Sequence, residues 1–114
     1  MIELFYADTP NGRKISIMLE EIKFPYKISA VKLLDGEQFE SKFRSISPFS
    51  KIPVIIDHEN NTSVFESGAI LIYLAEKSGK FYDKDDRVVI NQWLIAQVAH
   101  IGPLLGQHHQ FHHY

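Results

Sequence analysis

A proline stands at the head of an apolar run: in F-S-K-I-P-V-I-I-D, residues 49–57, Pro53 precedes Val54, Ile55 and Ile56. A short continuous apolar run bounded by turn signals reads as a buried strand. Proline donates no backbone hydrogen bond, so within sheets it is confined to edges, bulges and first positions. Pro53 therefore marks a strand start. On these residues alone two readings stand: an ordinary turn, or a backbone at Ile52 held away from the ladder for another partner.

The rest of the chain supplies a sheet for that strand to join. Residues 2–7 are a short β-rich run ended by D-T-P-N-G, after which Ile15, Met18, Leu19 and Ile22 recur at helical spacing. Thr9 is placed to cap this helix, with Pro10 at its first position. Pro25 ends it, and residues 26–33 alternate as a second strand before a turn at Asp35-Gly36. A weak helical stretch over 38–45 puts Phe39 and Phe43 on one face. Residues 54–56 and 63–65 form a hairpin across a polar turn at 57–61. A helix capped by Ser67 and closed by Gly79 follows, with Lys77 near its negative end. The order strand, helix, strand, helix, strand, strand, helix is that of an α/β domain whose first half is a parallel βαβ unit.

Residues 1–79 thus read as one domain and 80–86 as a charged linker. Residues 87–114 read as the first helix of a truncated all-α domain, since one amphipathic helix cannot bury its apolar face alone. Twelve basic and fourteen acidic residues, with no basic block, argue against nucleic acid. The chain has no cysteine, so a thiol in any redox chemistry must be borrowed. The first residues lack a signal-peptide pattern, and no apolar run approaches the roughly 20 residues of a membrane span. No membrane association and a cytoplasmic setting are expected.

Three pieces carry chemistry together: T-P-N-G-x-K at 9–14, K-I-P at 51–53 and F-E-S-G-A-I at 65–70. In order and spacing they resemble the N-terminal, thioredoxin-like domain of a cytosolic glutathione transferase, and the likeness covers essentially the whole chain. The resemblance implies a βαβαββα domain with a mixed four-stranded sheet, followed by the start of an all-α domain. It implies a cis bond before Pro53, leaving the N–H and C=O of Ile52 to pair with glutathione as an added strand. It places the γ-glutamyl group against Glu66 and Ser67, where a helix N-terminus attracts a carboxylate and an acid pairs an ammonium. Lys51 and Gln38 are implied partners of the glycine carboxylate, although either could be a solvated surface group.

The sulfur needs a donor that favours thiolate over thiol, because thiolate is the nucleophile. The resemblance puts that donor between the first strand and first helix, where Thr9 and Asn11 stand. Thr9 can cap the helix as well. Tyr6 is a rival, but Phe5 lies nearer the tyrosine position of other classes, so Tyr6 reads as packing. With G-P-L-L-G-Q-x-x-x-F at 102–111, the chain looks most like the Nu-class branch, whose members resemble glutathione-dependent disulfide-bond reductases. The implied chemistry is attack by a glutathione thiolate, as cosubstrate, on a small disulfide or electrophile. A glutathione-binding or interaction module without turnover is the competing reading, because most of the helical domain is missing. A homodimer is expected.

The histidine pairs 108/112 and 109/113 share helix faces at a metal-compatible spacing but lack a completing carboxylate or cysteine. They read as ordinary helix, and no metal site is expected. His58 is expected to be solvated in its turn.

Overall fold

The computed structural model describes residues 1–113, with side chains to residue 107. Two compact units divide after Ser78. In the first, β1 (Ile2–Tyr6), α1 (Pro10–Ile22), β2 (Tyr26–Ala30), α2 (Ser41–Arg44), β3 (Val54–Asp57), β4 (Thr62–Phe65) and α3 (Ser67–Ser78) follow in order. The four strands form one sheet in the order β2-β1-β3-β4. β1 and β2 are parallel, while β1–β3 and β3–β4 are antiparallel. This is the mixed sheet of a thioredoxin-like α/β domain, as the sequence implies.

The period-2 and period-3.6 patterns meet on one face of that sheet. Ile2 and Leu4 of β1, Ile55 of β3, Ile15, Leu19 and Ile22 of α1, and Ile70 and Leu74 of α3 form a single buried cluster. Each such side chain, fully buried, contributes about 1.5–3 kcal/mol, so this cluster is the main source of stability. The opposite face carries a smaller one, Val31, Phe43 and Val54, with the rings of Phe5 and Phe43 6.1 Å apart. α1 ends at Lys23, which turns left-handed (φ 59°) and sends its N–H back to the last turn before Pro25 blocks further helix.

Three local expectations give way. The second strand stops at Ala30, and a 3-10 turn at Leu33–Asp35 replaces its predicted end. The predicted helix over 38–45 is split into a 3-10 turn, Glu37–Phe39, and α2, because Glu40 between them is extended (ψ 143°). Phe39 and Phe43 therefore do not share a face: Phe43 is buried and Phe39 is exposed. His58 is not simply solvated, since its Nε2 lies 2.8 Å from Glu3 Oε1 and its backbone N–H donates to Met1 O.

The second unit begins at Gly79. A 3-10 turn at Lys84–Asp86 leads into α4 (Arg87–Ala96), a π-helical stretch Gln97–Ile101 and α5 (Gly102–His113). Gly102-Pro103 is thus passed within a continuous helix. Proline removes a helical N–H and crowds the preceding turn, and the wider π-helical turn ahead of it accommodates both effects. The Arg87 guanidinium lies 4.4 Å over the Tyr82 ring, and Tyr82 Oη donates to Asn91 at 2.7 Å.

One expectation about this helix needs correction. An 18-residue stretch within the helix Lys84–Gln107 is apolar enough, by length and composition, to cross a membrane. Asn91, Gln92, Gln97 and His100 interrupt the apolar pattern beyond Arg87, so the length of any single apolar run understates it. A helix from a protein core passes the same test. The histidine pairs at 108/112 and 109/113 lie outside the described side chains.

Candidate functional site

The strand register gathers the site. Tyr6 pairs with Ala30, Phe5 with Val54, and Val54 with Phe65. The ends of β1, β2 and β4 and the start of β3 therefore share one end of the sheet. Thr9 and Asn11 follow β1, Ile52 and Pro53 precede β3, and Glu66 and Ser67 follow β4. Six of the eight predicted residues thus meet where the chain crosses that end, and Lys51 adjoins them. Gln38 comes instead from the 3-10 turn ahead of α2.

The β1–α1 connection is tightly built. Thr9 is the N-cap of α1, with its Oγ1 accepting from Gly12 N at 3.1 Å. Its own proton is directed at Ala7 O, 3.4 Å away, a long contact that a nearer acceptor would displace. Asn11, at the second helical position, exposes its side chain. Gly12 is required here: a Cβ would stand 2.4 Å from Ala7 O, so only glycine lets α1 seat this close to the strand end. Arg13 Nε donates to Asp8 Oδ1 at 2.6 Å, and this hydrogen bond holds the exposed Asp8 carboxyl below its usual pKa. Tyr6 packs its ring on the main core and donates to Asp8 at 3.2 Å, which makes it a packing residue. An open cleft of about 480 Å³ lies beside Thr9, walled by Lys32, Leu33, Leu34 and Asp35.

At the start of β3 the Ile52–Pro53 bond is cis, as the family resemblance implies, and Pro53 is buried. Ile52 stands outside the ladder, which begins at Val54. Lys51 presents its side chain to solvent. Gln38 is half-buried, and its Oε1 is buried without a hydrogen-bond partner. A buried acceptor left unpaired costs about 1–3 kcal/mol, so a donor reaching it would gain that much.

At the β4–α3 junction the structure corrects the cap. Ser67 is the first residue inside α3, not its cap. Glu66 occupies the cap position, with a left-handed backbone (φ 75°) and its C=O accepting from Ile70 N at 3.0 Å. Left-handed backbone at a non-glycine residue costs on the order of 1–2 kcal/mol and turns the chain sharply at this point. Glu66 is exposed and immediately precedes the first turn of α3, whose N–H groups have no partner within the helix.

Sequence reasoning does not single out Ser47, yet its hydroxyl makes two hydrogen bonds to the backbone of Lys51. The only trace in the sequence is a small polar residue four positions before a lysine, a pattern too common to carry weight.

Residues 2–76 match the family described as glutathione S-transferase, N-terminal domain. The disulfide-bond oxidoreductase YfcG of Escherichia coli K12 is 48% identical over 99% of this chain and 56% of its own length. The disulfide-bond oxidoreductase YghU of the same organism is 40% identical over 99% of this chain and 43% of its own. A Pseudomonas fluorescens glutathione transferase family member, solved with two glutathione bound, superposes with TM-score 0.87 at 46% identity, covering 93% of this chain and 49% of that one. Ure2p in complex with glutathione superposes with TM-score 0.91 at 34% identity, covering 99% and 51%. The chain spans about half the length of the relatives it matches. A matched domain covering most of the chain and the thioredoxin-like sheet agree: the chain belongs to the glutathione S-transferase family.

Proposed function

We propose that the chain binds glutathione across the end of its sheet, and that the protein uses the bound thiolate to reduce disulfide bonds. The observation that carries this reading is the convergence, by strand register, of Thr9, Ile52 and Glu66–Ser67 at one end of the sheet. Each supplies what one part of the tripeptide needs. The N–H and C=O of Ile52 pair with the central cysteine as an added strand. The opening N–H groups of α3 take the γ-glutamyl carboxylate, and Glu66 takes its ammonium. Lys51 and the unpaired Gln38 Oε1 lie toward the glycine end, the lysine pairing its carboxylate and the amide oxygen accepting from its N–H.

The Thr9 hydroxyl, with the Asn11 amide and the positive end of α1, stabilises the thiolate. The thiolate attacks one sulfur of the substrate disulfide, and the departing sulfur takes up a proton. A second glutathione thiolate then attacks the mixed disulfide, giving oxidised glutathione and the second substrate thiol. The cleft beside Thr9 leaves room for that second sulfur. Names of the YfcG and YghU type support the disulfide over the electrophile as substrate.

Calorimetric titration of the chain with reduced and then oxidised glutathione tests the reading. Binding of either, weakened at least several-fold in Glu66→Gln, is the expected result. A folded chain that binds neither overturns it.

A further inference from the structure

Ser47 is one of two buried polar residues in the described chain, 2% exposed, and its hydroxyl is fully used. Oγ donates to Lys51 O at 2.7 Å and accepts from Lys51 N at 3.0 Å. Its own N–H donates to Phe43 O at 3.0 Å, and its C=O accepts from Ser50 N at 2.9 Å. Phe43 is buried on the sheet against Val31, Val54 and Phe5. One hydroxyl thus closes the segment Ser47–Lys51 into a ring and hangs that ring from α2.

Both side-chain bonds fall on the residue immediately before Ile52-Pro53. We propose that Ser47 is a positioning residue for the glycine end of glutathione, acting through Lys51. This rests on the glutathione reading above and assigns one end of the ligand to a loop the sequence leaves unexplained. A lysine ammonium on a flexible four-carbon stem is a poor clamp unless its backbone is fixed. Preorganisation raises affinity by lowering what must be ordered on binding. Without the hydroxyl, the N–H and C=O of Lys51 lose their partners and the segment Ser47–Lys51 is free to rearrange, while buried Pro53 keeps Ile52 in place. The γ-glutamyl end is held from β4 and α3, so it does not depend on this ring.

The test compares two ligands, glutathione and γ-glutamylcysteine, which lacks the glycine. Ser47→Ala weakens glutathione about ten-fold, the scale of one to two lost hydrogen bonds, and γ-glutamylcysteine less than about two-fold. Ser47→Thr, which keeps the hydroxyl, restores the preference for glutathione. In the unaltered chain the Lys51 amide exchanges with solvent deuterium slowly, because its acceptor is buried. Equal losses for both ligands, no loss for either, or fast exchange at Lys51 overturns the proposal. An unaltered chain that binds neither ligand overturns the glutathione reading and this one with it. An unaltered chain that binds both, followed by equal losses in Ser47→Ala, overturns the role of Ser47 alone.

Discussion

Tyr73 Oη donates to Asp57 Oδ2 at 2.6 Å, joining the last residue of β3 to the middle of α3. Lys77 Nζ, one turn further along α3, donates to the same oxygen and also to Glu59 at 2.9 Å. Asp57 Oδ1 accepts from Glu59 N at 3.0 Å, which shapes the β3–β4 turn. Asp57 is completely buried, so this carboxylate survives only because every oxygen is engaged. The network fixes α3 against the sheet, and with it the N-terminus of α3 at the other end of the helix.

Asp57→Ala therefore destabilises the fold by about 3 kcal/mol, since the Tyr73 hydroxyl proton loses its acceptor, keeping only the bond it accepts from Asn60, and Lys77 loses one of its two carboxylates. Lys77 can still pair with Glu59 and reach water, which keeps the loss at the lower end of the range for broken buried pairs. Urea unfolding measures it. A loss below about 0.5 kcal/mol would mean the network is ornamental to stability.

The same carboxylate sets an acid limb. Burial by itself would raise the Asp57 pKa, but the hydrogen bonds from Lys77, Tyr73 and Glu59 N and the Lys77 charge outweigh it and leave the pKa lowered. A folded-state pKa below the unfolded one gives stability that is fully present above the unfolded value, about 3.9. It is lost as pH falls from there through the folded value. Glu3, bonded by Ser29 and His58, is also lowered, against its own burial, and adds to the same limb. Stability should be level with respect to these groups from pH 7 to about 5 and fall below about pH 4. Asp57→Asn should flatten that fall. An unchanged acid limb in Asp57→Asn would assign it to other carboxylates.

The parts legible in the sequence are those where a residue type admits few backbones. Pro53 marks the approach to β3, Thr9-Pro10 favours a helix start, and Gly79 closes α3 with φ 71°. The periodicity of Ile15, Leu19 and Ile22 gave the buried face of α1 directly. What failed to show were positions where tertiary contacts override local preference. Glu66 takes a left-handed backbone that glutamate disfavours, so residue preference places the cap one residue late, at Ser67. Glu40 breaks a helix that composition supports. The partners of Asp57 and of His58 lie across the fold, where spacing along the chain says nothing. Ser47 escapes notice for another reason: its partners are local, but a serine four positions before a lysine is too common a pattern to mark a buried residue.

Thr9 carries two duties that one substitution can separate. Thr9→Asp keeps a strong N-cap for α1, so stability should stay within about 0.5 kcal/mol of the parent chain. It offers no proton to a bound thiolate and adds a negative charge beside it, so the thiol pKa in the glutathione complex should rise. Thr9→Ala should lose about 1 kcal/mol of stability as well. Thiolate absorbance titrated against pH reports the first effect and urea unfolding the second. A thiol pKa that is the same in Thr9→Asp as in the parent would place the sulfur away from Thr9.

Glu66 sets stability against binding. Its backbone at φ 75° is one glycine adopts freely, so Glu66→Gly removes a strain on the order of 1–2 kcal/mol. Part of that is returned because glycine has more freedom to lose on folding, about 0.5–1 kcal/mol. A net gain of up to about 1 kcal/mol in urea unfolding is expected. The same change deletes the carboxylate proposed to pair the γ-glutamyl ammonium, and a charge-assisted hydrogen bond of about 1.5–3 kcal/mol corresponds to at least ten-fold weaker glutathione binding. Glu66→Gln separates the two effects, since it keeps the side chain's size and removes only its charge. It should bind weakly without gaining stability. If Glu66→Gly is both more stable and an undiminished binder, the left-handed turn is incidental and the ammonium is held elsewhere.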